Sequence, residues 1–310
     1  MAADLETLAA VIRDAPGLRD KRALRLLGPL AGDGDDAALV AHGDGWLVLC
    51  GEAISPALVA SDPHAAGVAA VVTCISDVRA MGGRPLGLLD MLVSPDPDHA
   101  RAVIAGLASA AELLGVPIVG GHLTLGGAPA LSTSATGTVR RPLRAAAARP
   151  GDVLLVAFAL EGRYRGERPY FSSLADRAPE LLRGDGEVLA EVAEAGLCHA
   201  ARDVSMPGVA GSLLQLLEAA GCGAVLDLDR LPRPAGVPLE RWLVTFPSFG
   251  FVLAAPPDRA AAACAAFTRR GLACAACGRF EDTRTLRVAA GPHVAVVWDL
   301  EAEPLTGMGP

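Results

Sequence analysis

Three aspartates stand close together near the start of the chain, directly before a short apolar run. Asp33, Asp35 and Asp36 lie with two glycines in the segment GDGDDAALV, residues 32–40. Carboxylate oxygens are the ligands that Mg²⁺ prefers, so this segment could form part of a cage for a divalent cation. A solvated loop between two elements would have a similar composition. On this pattern alone the loop is the favoured interpretation.

A fourth carboxylate, Asp77, lies within the segment VVTCISDVRAMGG. Its neighbours at helical spacing are mostly small and apolar, and a carboxylate on such a face is costly to desolvate unless a cation or several donors compensate it. The alternatives are a salt bridge to Arg79 or Arg84, or an exposed position. The spacing alone slightly favours these alternatives over a metal ligand.

Two more acidic residues stand at the ends of predicted elements. Glu52 follows the apolar strand WLVLCG at its carboxyl end, where ligands tend to bind in α/β proteins. Asp203 and Ser205 come just before a helix that begins at Pro207, and N-terminal capping is their simplest role. Taken singly, each position is a weak indication of a site.

A glycine-rich stretch, VGGHLTLGG at residues 119–127, follows a predicted buried strand. Two consecutive glycines allow backbone amides to approach a phosphate closely. An ordinary tight turn is the alternative, and the pattern alone favours it. His122 could be a ligand or a proton carrier, although a single histidine after a turn is usually neither.

The sequence has no Walker loop, GxGxxG fingerprint, GxSxG elbow or HExxH motif. Lys21 is its single lysine, so the body of the protein offers no lysine for a Walker-type phosphate loop or a Schiff base.

The elements that must position these residues alternate between strands and helices. The runs AALV and WLVLC predict two strands joined by the turn HGDG, which is a hairpin pattern. A long helix is expected to begin with Asp62 as N-cap and Pro63 in its first turn, and to end at Gly82 and Gly83. Other predicted elements of this half are helices at 5–13, 21–28 and 97–114 and strands at 86–93, 116–122 and 130–139.

The composition changes at residues 140–152, which are rich in arginine, alanine and proline and mark a candidate domain boundary. Beyond them a second series begins with the strand DVLLVAFAL. Its further elements are predicted as helices at 186–196, 207–220 and 257–270 and strands at 224–228, 248–254, 272–280 and 293–298. Alternation in both halves predicts α/β or α+β layers. We expect a helical segment over 1–30, an N-terminal domain over 31–148 and a C-terminal domain over 149–310.

Composition and charge exclude several classes of protein. The chain has 310 residues, 52% of them hydrophobic and 20% charged, which predicts a well-buried globular protein of two domains. The net charge of −8 argues against a nucleic-acid surface. No apolar run approaches the ~18 residues of a membrane span, and the N-terminus does not resemble a signal peptide.

The seven cysteines are an odd number, which together with the missing signal peptide predicts a cytoplasmic protein with reduced thiols. Cys274 and Cys277 form a single C-x-x-C pair. The pair could bind a metal or undergo redox chemistry, but without a second pair the favoured interpretation is two small strand residues.

Taken in order, four segments resemble motifs of the superfamily of aminoimidazole ribonucleotide (AIR) synthetase. GDGDDAALV resembles its Gly-Asp-Asp-Ala-Ala motif, and ISDVRAMGGRPLG resembles its Asp-x-x-Ala-Met-Gly-Gly helix end, the most specific of the four. GGHLTLG is similar to the glycine-rich turn, and ARDVSMPGVAGSL to the segment that begins the main helix of the second domain. The superfamily includes selenophosphate synthetase, thiamine-monophosphate kinase and a hydrogenase-maturation dehydratase. Within it the chain is most similar to an AIR-synthase-related branch of unassigned activity.

The resemblance implies a two-domain fold of the α/β class with α+β layers, in which the N-terminal sheet forms a barrel across a homodimer. It implies ATP held with Mg²⁺ by carboxylates and backbone amides, in keeping with the scarcity of lysine. The implied metal ligands are Asp35, Asp36, Glu52, Asp77 and Asp203. The implied nucleotide contacts are Asp35, Asp36, Gly82, Gly83, Gly120, Gly121 and Thr124. Catalytic roles are implied for His122 and Asp203.

The sequence lacks motifs that are typical of individual members of the superfamily, and these differences argue against their particular activities. No cysteine precedes Cys50, so the selenium chemistry of selenophosphate synthetase is not expected. Met206 and His122 stand where thiamine-monophosphate kinases have aspartates. The chain ends in LTGMGP, without the C-terminal cysteine of the hydrogenase-maturation type, and LCGEAISPAL lacks the block that AIR synthetases have near Glu52.

The sequence therefore predicts Mg·ATP-dependent phosphoryl transfer to an oxygen of a small substrate, of kinase, synthetase or dehydratase type. The alternatives are a kinase like that for thiamine monophosphate, or a nucleotide-binding accessory protein without turnover. The segment LEGRYRGERPYFSS is expected to be loop-like. Arg163, Arg165 and Arg168 within it could recognise an anionic substrate, although an exposed basic loop is the commoner explanation.

Overall fold

The computed structural model of the chain describes residues 2–309, and these divide into two units with separate sheets. The N-terminal unit comprises Asp36–Arg141 with Ala178–Ala190. The other described residues, including those before Asp36, form the C-terminal unit.

The chain begins with helices α1 (Ala2–Asp14) and α2 (Pro16–Lys21), which belong to the C-terminal unit. Leu5, Ala9 and Ile12 recur at helical spacing along α1 and lie in the hydrophobic core of that unit. The helix expected at 21–28 is instead a 3₁₀ segment, Arg22–Ala31, with non-helical backbone angles at Gly28.

The N-terminal unit is a five-stranded sheet with helices. Its elements are β1 (Ala38–His42), β2 (Gly45–Ala53), α3 (Pro56–Ser61), α4 (Pro63–Ala80), β3 (Arg84–Ser94), α5 (Pro97–Leu114), β4 (Ile118–Leu125) and β5 (Ala130–Val139). The strand order is β1-β2-β5-β3-β4, with β3 and β4 parallel and the other neighbours antiparallel. The predicted hairpin is confirmed, because β1 pairs with β2 across the turn at Gly43 and Asp44.

Helix α4 follows the predicted capping pattern. The Asp62 carboxylate accepts a hydrogen bond from the Ala65 backbone N–H at 3.1 Å, and Pro63 occupies the first turn. The helix packs closely on α5, since a Cβ on Gly106 would lie 2.0 Å from the His64 carbonyl oxygen. Only glycine permits this approach between two helix backbones.

The C-terminal unit has a seven-stranded sheet in the order β15-β14-β10-β13-β6-β12-β9 and a small sheet in the order β11-β8-β7. Its strands are β6 (Val153–Phe158), β7 (Arg163–Tyr164), β8 (Tyr170–Ser172), β9 (Ala200–Asp203), β10 (Gly223–Asp227), β11 (Phe246–Pro247), β12 (Gly250–Ala255), β13 (Ala273–Glu281), β14 (Thr285–Ala290) and β15 (His293–Asp299). Helices in this half of the chain are α6 (Pro179–Glu194), the first part of which belongs to the N-terminal unit, α7 (Gly208–Ala220), α8 (Leu239–Leu243) and α9 (Ala260–Thr268).

The core of the C-terminal unit centres on α7, which is almost entirely buried. Near the end of α7 the buried Glu218 carboxylate accepts hydrogen bonds from the backbone N–H groups of Leu305, Thr306 and Gly307. The C-terminal residues are thereby fastened to the core by charge-assisted hydrogen bonds. Among residues 2–309, no helix is both long and apolar enough to cross a membrane.

Candidate functional site

Helix α4 directs Asp77 towards the sheet of the N-terminal unit. Cys74, one helical turn earlier, contacts β5 through its Sγ, which lies 3.1 Å from the Thr133 Oγ1. Because residues three apart share a helix face, Asp77 lies on this sheet-facing side. Its side chain is buried, with 7% of the residue exposed. Arg84, one of the salt-bridge partners considered for Asp77, donates from Nε to the Glu187 carboxylate at 2.8 Å.

Asp36 and Asp77 come together within the N-terminal unit. One carboxylate oxygen of Asp36 lies within 4.8 Å of one of Asp77, and Asp36 is half-buried. Two carboxylates at this separation repel each other unless a cation lies near both. A hard oxygen donor set of this kind fits Mg²⁺, which is bound by one or two carboxylates together with substrate phosphates and water. The residues present therefore fit the predicted metal.

Glu52 lies on the helix-covered face of the same sheet. Glu52 of β2 is paired in register with Thr133 of β5. Thr133 is also paired with Asp90 of β3, and Asp90 is paired with Gly121 of β4. Residues paired in register share a face, so Glu52 and Asp90 lie in one row across four strands. Burial raises the pKa of Asp90. Sequence reasoning missed Asp90, although a carboxylate inside the apolar strand LGLLDMLV was a signal for it.

Cys50 and Cys74 border these acidic residues. The Cys50 Sγ donates to the Cys74 carbonyl oxygen at 3.3 Å. A hydrogen bond between the two thiol side chains lowers the pKa of Cys74 and raises the pKa of Cys50, which burial and the nearby Asp77 charge raise further. Cys50 is thus held protonated beside Asp77, and it adds no second negative charge there.

The glycine-rich segment forms strand β4, whose residues are mostly exposed. His122 is in register with Met91, so both lie on the open face of the sheet, opposite to the face of Asp90 and Glu52. Gly120 and Thr124 alternate with Gly121 along β4 and share the open face with His122. The structure thus separates His122 from the acidic row by the thickness of the sheet.

Gly82 and Gly83 end helix α4. Gly82 has a φ of 72°, and its N–H donates to the Arg79 carbonyl, which is a typical glycine C-cap. A Cβ on Gly83 would lie 2.8 Å from the Val78 carbonyl oxygen. The local backbone structure therefore explains why glycine occupies both positions, without any contact to a nucleotide.

Asp35 and Asp33 are engaged inside the C-terminal unit. The Asp35 carboxylate accepts from the Ala145 N–H at 2.6 Å and from the Arg144 Nε at 3.2 Å. Arg144 also donates from Nη2 to Asp33 at 2.5 Å. Asp33, which sequence analysis assigned to a loop, is a partner of this arginine. The three side chains form an ion-paired cluster, hereafter the Arg144 cluster.

Asp203 is the last residue of β9 and is buried, and it pairs in register with Phe251 of β12. The capping role considered for Asp203 and Ser205 is not what the structure shows. The N-cap of α7 is Pro207, without a side-chain cap bond, while the Ser205 N–H donates to the Ser212 Oγ at 3.1 Å.

The arginine-rich segment is not the irregular loop that the sequence predicted, because Arg163–Tyr164 and Tyr170–Ser172 are strands of the small sheet. Two-residue and three-residue strands are too short to show a periodic pattern. The Arg163 guanidinium is paired with Asp176, and this pairing raises the pKa of Arg163. The Arg165 N–H donates to the Tyr170 carbonyl oxygen.

The fold and the acidic residues define a two-domain α/β protein with carboxylates suited to a divalent cation. The family model described as AIR synthase related protein, N-terminal domain, matches residues 34–139, and that of the C-terminal domain matches residues 159–291. The chain belongs to this family, within the AIR synthase superfamily. The predicted family and the predicted two-domain α/β fold are both confirmed.

Two relatives illustrate the range of sequence similarity. Uncharacterized protein sll0787 of Synechocystis is 38% identical over 276 residues, which cover 88% of this chain and 86% of that protein. Selenide, water dikinase of Myxococcus xanthus is 34% identical over 217 residues, covering 66% of this chain and 61% of that enzyme. Relatives in the superfamily thus include a kinase by name.

Two solved structures share the fold. T. maritima PurL complexed with ATP superposes with a TM-score of 0.73 at 23% identity, covering 87% of this chain and 46% of that one. AaThiL complexed with AMPPCP and TMP gives a TM-score of 0.67 at 19% identity, covering 88% and 94%. The chain therefore spans about half the length of PurL and nearly all of AaThiL. At these identities the likeness shows the fold alone.

Proposed function

We propose that the protein is a Mg·ATP-dependent phosphoryl-transfer enzyme that activates an oxygen of a small substrate. The observation that carries this proposal is the approach of the Asp36 and Asp77 carboxylates to within 4.8 Å of each other, from two motifs that are far apart in the sequence. Family membership adds support, since selenide, water dikinase is a relative and PurL and AaThiL were solved with ATP and AMPPCP.

The proposed metal ligands are Asp36 and Asp77 of the N-terminal unit. Glu52 and Asp203 stay predicted ligands. Magnesium bound there would neutralise the charge of the phosphate oxygens, which is the main requirement of phosphoryl transfer. Asp77 suits this role because it is buried, so solvent screens its attraction to a cation less than at the surface. Asp36 suits it because it is half-buried and can reach a phosphate-bound ion.

The other predicted residues have secondary roles in this proposal. Asp35 is a further predicted ligand, and its bonds to Arg144 and the Ala145 N–H would fix the position of the following Asp36. We propose that Gly120, Gly121 and Thr124 contact the nucleotide from the exposed strand β4. The catalytic role of His122 stays a prediction, and it would require the nucleotide or substrate to reach the open face of the sheet.

We also propose that the protein is a homodimer in which the open faces of two N-terminal sheets pair over β1, β2 and β3, so that the edge strand β4 with His122 stays uncovered. Val40, Leu49, Leu89 and Met91 expose between 38% and 47% of their surface in the single chain. Their register positions place them on the open face, so they form an apolar surface that a second copy would cover. Size-exclusion chromatography with light scattering should give a dimer for the wild type and a monomer for Met91→Arg.

The activity is tested by ATP consumption of the purified full-length protein with and without Mg²⁺. Because the substrate is unidentified, the assay measures the basal release of ADP or AMP. Asp77→Asn should lower the Mg²⁺-dependent rate by about a hundredfold, a loss typical of removing one electrostatic contact to the reacting group. The matched control is Asp98→Asn, which changes an exposed aspartate of α5 that pairs with its neighbour Arg101.

The assay also distinguishes the alternatives. A nucleotide-binding accessory protein would show a thermal shift with Mg·ATP but no consumption of ATP, and that shift would be lost in Asp77→Asn. A kinase like that for thiamine monophosphate would consume ATP only when that substrate is added. Equal rates and equal thermal shifts for the wild type and Asp77→Asn would contradict the proposed site.

A further inference from the structure

Two half-buried cysteines of the C-terminal unit face each other between α9 and β13. The Cys274 Sγ lies 3.5 Å from the Cys264 Sγ. Cys264 is in the middle of α9, and Cys274 is the second residue of β13. The chain reverses between them at Gly271, whose φ of 73° allows the helix to fold back onto the strand.

The sequence had suggested a different partner for Cys274, namely Cys277. Cys277 is fully buried in the hydrophobic core, and its Sγ lies 3.3 Å from the Arg230 carbonyl oxygen. Cys277 lies at a β-bulge of β13 and packs in the core, whereas the Cys274 thiol contacts α9, so the C-x-x-C pair does not close on itself. The thiol that contacts Cys274 is instead that of Cys264 in helix α9.

The two facing thiols differ in acidity. A hydrogen bond from Cys274 lowers the pKa of Cys264, while the same bond and burial raise the pKa of Cys274. Burial raises the pKa of the neighbouring Cys198 and of Cys277 to about 12. Since the thiolate is the nucleophile, Cys264 is the member of this group that reacts first.

We propose that Cys264 and Cys274 form an oxidation site at which a small hydroperoxide is reduced and a disulfide is made. The half-buried position of both residues gives a small oxidant access. An S–S bond is about 2.05 Å long, so the sulfurs need to approach by only about 1.5 Å. Side-chain rotation supplies a movement of this size.

The chemistry balances in two steps. The Cys264 thiolate attacks the peroxide, so that an S–O bond forms, the O–O bond breaks, and the leaving hydroxide takes up the thiol proton as water. The Cys274 sulfur then attacks the sulfenic acid, the S–S bond forms, the S–O bond breaks, and a second water leaves with the Cys274 proton. The two sulfurs together lose two electrons, and hydrogen peroxide gains them.

The experiment uses the reduced full-length protein, treated with hydrogen peroxide, alkylated and digested with trypsin. Cleavage after Arg269 and Arg270 separates the peptide 260–269, which contains Cys264, from the peptide 271–279, which contains Cys274 and Cys277. The proposal predicts that these two peptides are joined in the oxidised sample. An internal disulfide within 271–279, or Cys264 oxidised only to sulfinic acid without a link, would overturn it.

Two variants make the test specific. Cys277→Ser leaves a single cysteine in the second peptide, and the link should persist at the wild-type yield. Cys264→Ser should abolish the link. Oxidation should raise the melting temperature of the wild type and of Cys277→Ser, because a new cross-link restricts the unfolded chain, but not that of Cys264→Ser. A link or a thermal shift that survives in Cys264→Ser would contradict the assignment.

Discussion

Asp35 and Asp36 are neighbours in one motif, yet their carboxylates belong to different units and have different neighbours. Asp35 accepts from the Arg144 Nε and the Ala145 N–H within the C-terminal unit. Asp36 begins the N-terminal unit and brings its carboxylate within 4.8 Å of another carboxylate, that of Asp77. The carboxylate of Asp35 is thus paired with an arginine, and that of Asp36 lies near a second carboxylate.

This difference shows how one short acidic motif can contain both a residue that stabilises the fold and a residue proposed to bind a metal. The Arg144 cluster holds the segment in place through protein donors, so its stability does not depend on an added ion. Like charges in a buried setting cost folding free energy, and a bound cation would remove that cost. We therefore expect the two aspartates to respond differently to the same substitution.

The largest effect is expected for Asp36→Asn. This variant should lose about a hundredfold of Mg²⁺-dependent ATP consumption, and Mg²⁺ should raise its melting temperature by less than it raises that of the wild type, because one proposed ligand charge is gone. Thermal melts and ADP release measure both quantities. A variant with the ATP consumption and the Mg²⁺-induced thermal shift of the wild type would contradict the assignment of Asp36 as a ligand.

A smaller effect, on stability, is expected for Asp35→Asn. The amide keeps one acceptor but loses the charge-assisted bonds to Arg144 and the Ala145 N–H, and we expect a loss of about 1–2 kcal/mol in the free energy of unfolding. Urea denaturation measures it. The matched control is Asp33→Asn, whose side chain is 74% exposed and whose ion pair with Arg144 should contribute less than about 1 kcal/mol. Equal losses for the two variants would contradict the comparison.

The smallest effect is expected at Asp90, in the row with Glu52. Burial raises the pKa of Asp90, so its charged form is disfavoured in the folded protein. The charge therefore costs stability at pH 7, and the cost disappears as the pH falls below the unfolded value of about 3.9. Asp90→Asn should raise the melting temperature at pH 7, with a gain that shrinks as the pH is lowered towards 4. A gain that is constant with pH would exclude this electrostatic cause.

Local rules of sequence were enough to predict part of this molecule. The Asp62 cap of α4, its glycine end and the hairpin of β1 and β2 each depend on residues close together in the chain. The site could not be predicted in this way. Local spacing favoured a loop for Asp36 and a salt bridge or an exposed position for Asp77. The resemblance of whole motifs to a family was what predicted a shared metal site.

What the sequence could not show depends on contacts between distant segments. The row from Glu52 to Asp90 exists because β5, the last strand of its sheet in the chain, lies between β2 and β3. The bond between Arg144 and Asp35 joins residues 109 positions apart. Residue spacing and composition cannot predict which distant residues pair, because strand order and register are set by tertiary packing.

The most direct test of the central claim is a crystal of the wild-type protein soaked with Mn²⁺ and AMPPCP, with anomalous scattering used to locate the metal. We expect a manganese peak within coordination distance, about 2.2 Å, of both the Asp36 and the Asp77 carboxylates. Nucleotide bound with no peak at these aspartates, or with the metal held by other residues, would contradict it.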